Sequence, residues 1–199
     1  MPDYVDSDPD LGPELRGDEQ TAKILLVGHM GAGKTTMVHC ISEIAPVATE
    51  ETMTSMGSGV DRADLHHKTT TTVALDFGRI HLSRKLVLYL FGAPGQARFF
   101  DILDDLAYGA LGALVLCDPR HLDETYPILD QVEALGLTYV VAVNHFDGAP
   151  RYTEARLREV MALDPHIPMV FCDARSRPST RDALITLLEH LLSTPEPVR

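Results

Sequence analysis

The sequence predicts an α/β fold: three layers, with a six-stranded and mostly parallel sheet, carrying one antiparallel edge strand, held between helices. Three observations carry this. Short continuous apolar runs bounded by glycine or turn residues recur along the chain, as in strands covered on both faces. Segments with helical apolar spacing alternate with them, which implies βαβ units. One pair of runs is joined by a turn too short for a crossover, so those two strands must be antiparallel.

The elements follow in order. Residues 1–20 are expected to form an acidic, disordered arm, because they contain Pro2, Pro9 and Pro13, lack an apolar period, and carry seven acids against the single Arg16. The ordered domain then spans 21–193, and 194–199 form a short tail. "KILLVG" reads as the first strand and "KTTMVHCISEI" as the first helix. Residues 45–71 are rich in Thr, Ser and Gly without a period and read as a long functional loop. "TVALDFGRIHL" and "KLVLYLF" form a hairpin about Ser83 and Arg84. The strands "GALVLC", "TYVVAVN" and "IPMVFC" then alternate with the helices "ARFFDILDDLAYG", "ETYPILDQVEALG", "TEARLREVMAL" and "TRDALITLLEHLL".

A chain of 199 residues suits one domain with a full core. Its net charge of −12 argues against nucleic acid, which requires a basic face. Cys40, Cys117 and Cys172 lack the close spacing of a zinc site and read as core thiols. No signal peptide, spanning segment or lipidation box is recognisable, so the expectation is a cytoplasmic protein that does not insert into membranes and reaches them only through partners.

"GHMGAGKT", residues 28–35, fits G-x-x-x-x-G-K-[ST] between a strand and a helix. Gly28, Gly31 and Gly33 let the backbone curl so that the N–H groups of His29, Met30, Ala32 and their neighbours face phosphates, at the positive end of the helix that Thr36 continues. Lys34 bridges the outer phosphates, and the Thr35 hydroxyl is assigned to Mg²⁺. "NHFD", residues 144–147, follows a strand. A carboxylate at Asp147 accepts a pair of N–H donors from guanine that adenine does not present, which makes Asp147 the base-selecting residue beside Asn144. His145 occupies the place of a lysine stem and offers an imidazole for stacking on the base.

In order and spacing over about residues 22–192, these segments together with "TTTTVALDF", "LFGAPGQARFF" and "CDAR" resemble the Ras-like small GTPases. They are most similar to the bacterial conservon (CvnD-type) group, related to MglA-type GTPases. The resemblance implies a P-loop NTPase G domain with GTP or GDP and Mg²⁺ as its ligands. It gives Gln96, beside Gly95, the role of orienting the attacking water, and Thr72, with Thr71 as the alternative, contact with the γ-phosphate and Mg²⁺. Asp173, Ala174 and Arg175 correspond to the loop that touches the guanine oxygen through a backbone N–H. The expected partners are a roadblock-type regulator, a sensor-kinase-like membrane complex and a small accessory protein.

Two positions depart from the family pattern. Gly92 stands where the family has the aspartate that helps hold Mg²⁺, so metal binding is expected to rest on Thr35, Thr72 and the phosphates, unless Asp76 or Asp118 fills the role. Met30 places a side chain where many relatives have glycine, crowding the γ-phosphate. Arg62, Arg79 and Arg98 are candidates for a supplied positive charge or solvated arginines, and His66 and His67 read as solvated. The leading expectation is a slow, partner-dependent GTPase switch, favoured by Gln96. The alternatives are a GTP/GDP-binding interaction module without useful turnover, favoured by Met30 and Gly92, and a P-loop ATPase.

Overall fold

The computed structural model describes residues 15, 17–45, 47–54, 70–95 and 100–194, without the side chains of 47–54, 70–74, 100 and 101. The elements are β1 (Gln20–Val27), α1 (Lys34–Ile41), β2 (Val47–Thr54), β3 (Thr70–Ser83), β4 (Leu86–Gly92), α2 (Phe100–Ala107), β5 (Ala110–Cys117), α3 (Tyr126–Ala134), β6 (Tyr139–Asn144), α4 (Glu154–Val160), β7 (Met169–Cys172) and α5 (Arg177–Ser193). They form one sheet in the order β2-β3-β4-β1-β5-β6-β7. β1 runs parallel to β4 and β5, and β6 and β7 continue the parallel series.

All six predicted strands are present, and the antiparallel hairpin falls where the short turn requires it, with Ser83 facing Leu86. The loop assigned to 45–71 needs correction. Its first part forms β2, which pairs antiparallel with β3 from Val47 opposite Phe77 to Thr54 opposite Thr70, so the sheet gains a seventh strand at that edge. An edge strand needs backbone partners more than an apolar period, and the Val- and Thr-containing "VATEETMT" suits extended backbone. Apolar periodicity could not reveal it.

The layers follow from the alternation of β1. Ile24 and Leu26 pack into one core with Met37, Val38 and Ile41 of α1 and Ala183, Leu184 and Leu187 of α5. Leu25 and Val27 point the other way, into a core with Leu103 of α2, Leu129 and Val132 of α3, and Leu157 of α4. Burying each such side chain contributes about 1.5–3 kcal/mol. Cys117 and Cys172 are buried free thiols, pushed up by burial to about 11 and about 12, and Cys40 is half-buried. The reading as core thiols holds for Cys117 and Cys172, whereas Cys40 lies outside both cores. The ends of β1, β4, β5, β6 and β7 where the chain leaves the sheet lie on one side, the edge at which open α/β sheets place ligands.

Candidate nucleotide-binding site

The loop from β1 to α1 is held by one amide. Asn144, buried at the end of β6, donates from Nδ2 to the Ala32 carbonyl at 2.9 Å and accepts at Oδ1 from the Ala174 N–H at 2.9 Å. It thereby ties residues 28–35, 144–147 and 172–175 into one floor. Gly33 makes this approach feasible. Its φ of +109° is left-handed, and a Cβ there would meet Asn144 Nδ2 at 2.4 Å.

At the phosphate end Lys34 is buried and turned onto its own loop, donating to the Gly28 and His29 carbonyls at 2.7 and 2.8 Å. Burial lowers its ammonium to about 8, against the opposing pull of Asp76. The Met30 N–H donates to the Gly95 carbonyl at 3.1 Å. A Cβ at Gly95 would meet Met30 N at 2.4 Å and Lys34 Nζ at 2.6 Å, so this glycine rests directly on the loop. Met30 is 67% exposed.

Of the two carboxylates that the sequence offers in place of one at position 92, the structure brings Asp76 to the Thr35 hydroxyl. Thr35 Oγ1 donates to Asp76 Oδ2 at 2.5 Å. Asp76 lies directly across from Gly92 in the β3–β4 pair. A Cβ on Gly92 would come within 2.9 Å of Asp76 Cβ and 3.2 Å of its Oδ2, so the carboxylate occupies the space a side chain at position 92 would need. Asp118, the other candidate, is turned elsewhere: it accepts from Arg120 Nε and Nη2 at 2.9 and 2.6 Å and lies 3.8 Å from His29 Nε2. Burial alone would raise the Asp118 carboxyl, but the Arg120 hydrogen bonds outweigh it and hold the group below its ordinary value.

Sequence reasoning gave Arg120 no role. Its guanidinium lies 3.7 Å from the Phe146 ring centroid. Asp118 thus lies between His29 of the phosphate loop, 3.8 Å from its Nε2, and Arg120, which sits over Phe146 of the base loop. The available signal was "CDPR", an acid and a base at the end of an apolar strand.

At the base end Gly31, Gly33, Thr36, Asn144, Asp147 and Arg175 line part of a cleft of about 320 Å³. Asp147 is held by Arg175, with Nη1 to Oδ2 at 2.8 Å and Nη2 to Oδ1 at 3.3 Å, and His145 Nε2 lies 3.9 Å from its Oδ1. Arg175 also donates from Nε and Nη2 to Asp173 at 2.9 Å each. These bonds lower the Asp147 carboxyl and take that of Asp173 to about 2.

Of the remaining candidates, Thr72 is placed by its backbone only, opposite Thr52 in the β2–β3 pair. Gln96, Arg62, Arg98, His66 and His67 lie outside the described residues. Arg79 is buried in the sheet, which corrects its reading as a solvated arginine.

A glycine-rich phosphate loop between the central strand and its helix, with a carboxylate-bearing loop at the base end, defines a P-loop nucleotide-binding protein of the G-domain fold. The chain belongs to the family described as "Conserved hypothetical ATP binding protein", which matches residues 26–194. Among solved structures it is similar to the G domain of the T. maritima FeoB iron transporter, at 17% identity and a TM-score of 0.60 over 86% of this chain and 99% of that one. That likeness shows the fold. No curated protein sequence matches. Among the described residues, no helix is long and apolar enough to cross a membrane.

Proposed function

We propose that the protein is a guanine-nucleotide switch that binds GTP and GDP, hydrolyses GTP slowly and signals through nucleotide-dependent partner binding. The observation that carries the base assignment is Asp147 at the open end of the cleft, where its two oxygens already accept a pair of N–H donors from one planar group. Guanine offers such a pair and adenine does not. The family description, which speaks of ATP, supports the second reading, a P-loop ATPase. Adenine would leave the Asp147 acceptors unused.

The residues present fit Mg²⁺, since a hydroxyl and a carboxylate are joined beside the buried lysine. Thr35 and Asp76 would hold the ion, and Mg²⁺ when bound neutralises charge on the outer phosphates. Lys34 exchanges its loop carbonyls for phosphate oxygens. The Met30 N–H is released from Gly95 to face them, so nucleotide state and the position of 93–95 are coupled. Gln96 orients water, as the family resemblance implies, and a roadblock-type regulator and a sensor-kinase-like complex are the proposed partners on the same ground. Identifying the nucleotide that co-purifies, and following its turnover with Mg²⁺, tests the reading. Guanine nucleotide with slow release of phosphate is expected. Guanine nucleotide without turnover, even with partners present, would favour the interaction module.

A further inference from the structure

The contact between Arg175 and Asp147 carries a consequence for nucleotide entry, which rests on the guanine reading above. Guanine's edge at N1, C2 and the exocyclic amine is an amidine-type unit, two N–H groups flanking one carbon. The Arg175 guanidinium presents the same unit, and it presents it to the same carboxylate. We propose that Arg175 gates the base site by standing in for guanine: in the nucleotide-free protein it holds Asp147 through the donor pair that guanine would supply, so base entry exchanges one pair for another.

The surroundings support an exchange of this kind. Arg175 is anchored independently, because its Nε and Nη2 both donate to Asp173 and its own backbone N–H donates to Asp173 Oδ1 at 2.9 Å. Leaving Asp147 therefore does not strand the guanidinium, which keeps a bond to Asp173 as it turns away. Asp147 is 81% exposed at its side chain and Arg175 50%, so solvent reaches the pair and screens it, as a readily opened gate requires. The closed gate also keeps the carboxylates of Asp147 and Asp173 compensated by one cation. Its backbone neighbour Ala174 is fixed to Asn144, so the side chain moves while the floor of the slot stays in place.

A gate that is closed for part of the time lowers the apparent association rate by the open fraction and leaves the dissociation rate unchanged. Stopped-flow binding of fluorescent GDP to wild type and Arg175→Ala measures this directly. Faster association with Arg175→Ala, by about two- to fivefold for an exposed pair, with an unchanged dissociation rate, is expected. The control is Asp147→Asn, whose amide cannot accept the guanidinium in the same way, assayed with xanthosine diphosphate. There Arg175→Ala should change nothing. GDP association that is unchanged or slower in Arg175→Ala, or an equal acceleration in the Asp147→Asn background, overturns the gate alone. A wild type that binds ADP as well as GDP overturns the base assignment and the gate with it, and the wild-type comparison separates the two failures.

Discussion

The two ends of the cleft recognise their ligand by different means. At the phosphate end the groups are backbone amides and a buried lysine, fixed by the turn from the central strand into α1. At the base end they are charged side chains on exposed loops. Both ends hold internal partners: Lys34 and the Met30 N–H bond to backbone carbonyls, while Asp147 bonds to a guanidinium. Carbonyls neutralise no charge, so polyphosphate competes with a weak partner for a strong cation. A guanidinium does neutralise Asp147, so the base competes with a partner of its own kind. Affinity should therefore come from the phosphate end and selectivity from the base end.

The largest effect expected from this division is at Lys34. Lys34→Ala should abolish nucleotide retention, measured as bound nucleotide in the purified protein, because the described part of the loop offers no other cation to the outer phosphates. A variant that retains nucleotide would show that affinity resides elsewhere.

The next concerns the metal end. Asp76→Asn should raise the Mg²⁺ concentration needed to slow nucleotide release by about tenfold, since a carboxylate beside a doubly charged ion is replaced by a neutral amide. Gly92→Asp, which a motif-based reading would expect to tighten Mg²⁺, should instead lower the melting temperature, because its Cβ meets Asp76 and brings a second carboxylate against the first. Overpacking of this kind costs about 1–3 kcal/mol. The double variant Asp76→Gly with Gly92→Asp should recover part of both losses. If Gly92→Asp tightens Mg²⁺ without cost in stability, Asp76 is not the stand-in described above.

Lys34 also makes the phosphate end sensitive to pH. Its folded value of about 8 lies below the 10.5 of the free side chain, so between these values the unfolded chain binds more protons and the nucleotide-free protein gains stability as pH rises. Nucleotide binds the charged form. GDP affinity should therefore fall as pH rises through about 8, with proton uptake on binding visible by calorimetry in buffers of different ionisation enthalpy. An affinity that is flat from pH 7 to 9 would mean that Lys34 stays charged in its buried position. The smallest effect on binding is expected for Gln96→Leu, which should slow hydrolysis and leave GDP affinity nearly intact, because a water-orienting group acts in the transition state. Single-turnover phosphate release measured beside a GDP titration checks it.

The same division explains what the sequence disclosed. The phosphate loop, the six strands and the place of Asp147 at the cleft were legible because each rests on local pattern: glycines at fixed spacing, continuous apolar runs, an acid after a strand. Asp76 was legible only as one of two candidates beside Asp118, and what separates them is its register opposite Gly92 and its bond to Thr35, which no local pattern carries. β2 escaped because an edge strand is specified by its partner's backbone. The Asp118–Arg120–Phe146 chain and the Arg175–Asp147 pair escaped because side-chain geometry across two loops leaves no periodic trace.

Base selectivity is the central claim, and one measurement addresses it most directly: competitive titration of GDP and ADP on nucleotide-free wild type, repeated with xanthosine diphosphate on Asp147→Asn. The phosphates are identical, so their contribution cancels and the difference reports the base end alone. GDP should bind the wild type at least about a hundredfold more tightly than ADP, as expected when a site built to pair with donors meets a base that lacks them. Asp147→Asn should shift the preference to the xanthine nucleotide. Equal affinity for GDP and ADP, or a preference for ADP that Asp147→Asn leaves unchanged, would contradict the account.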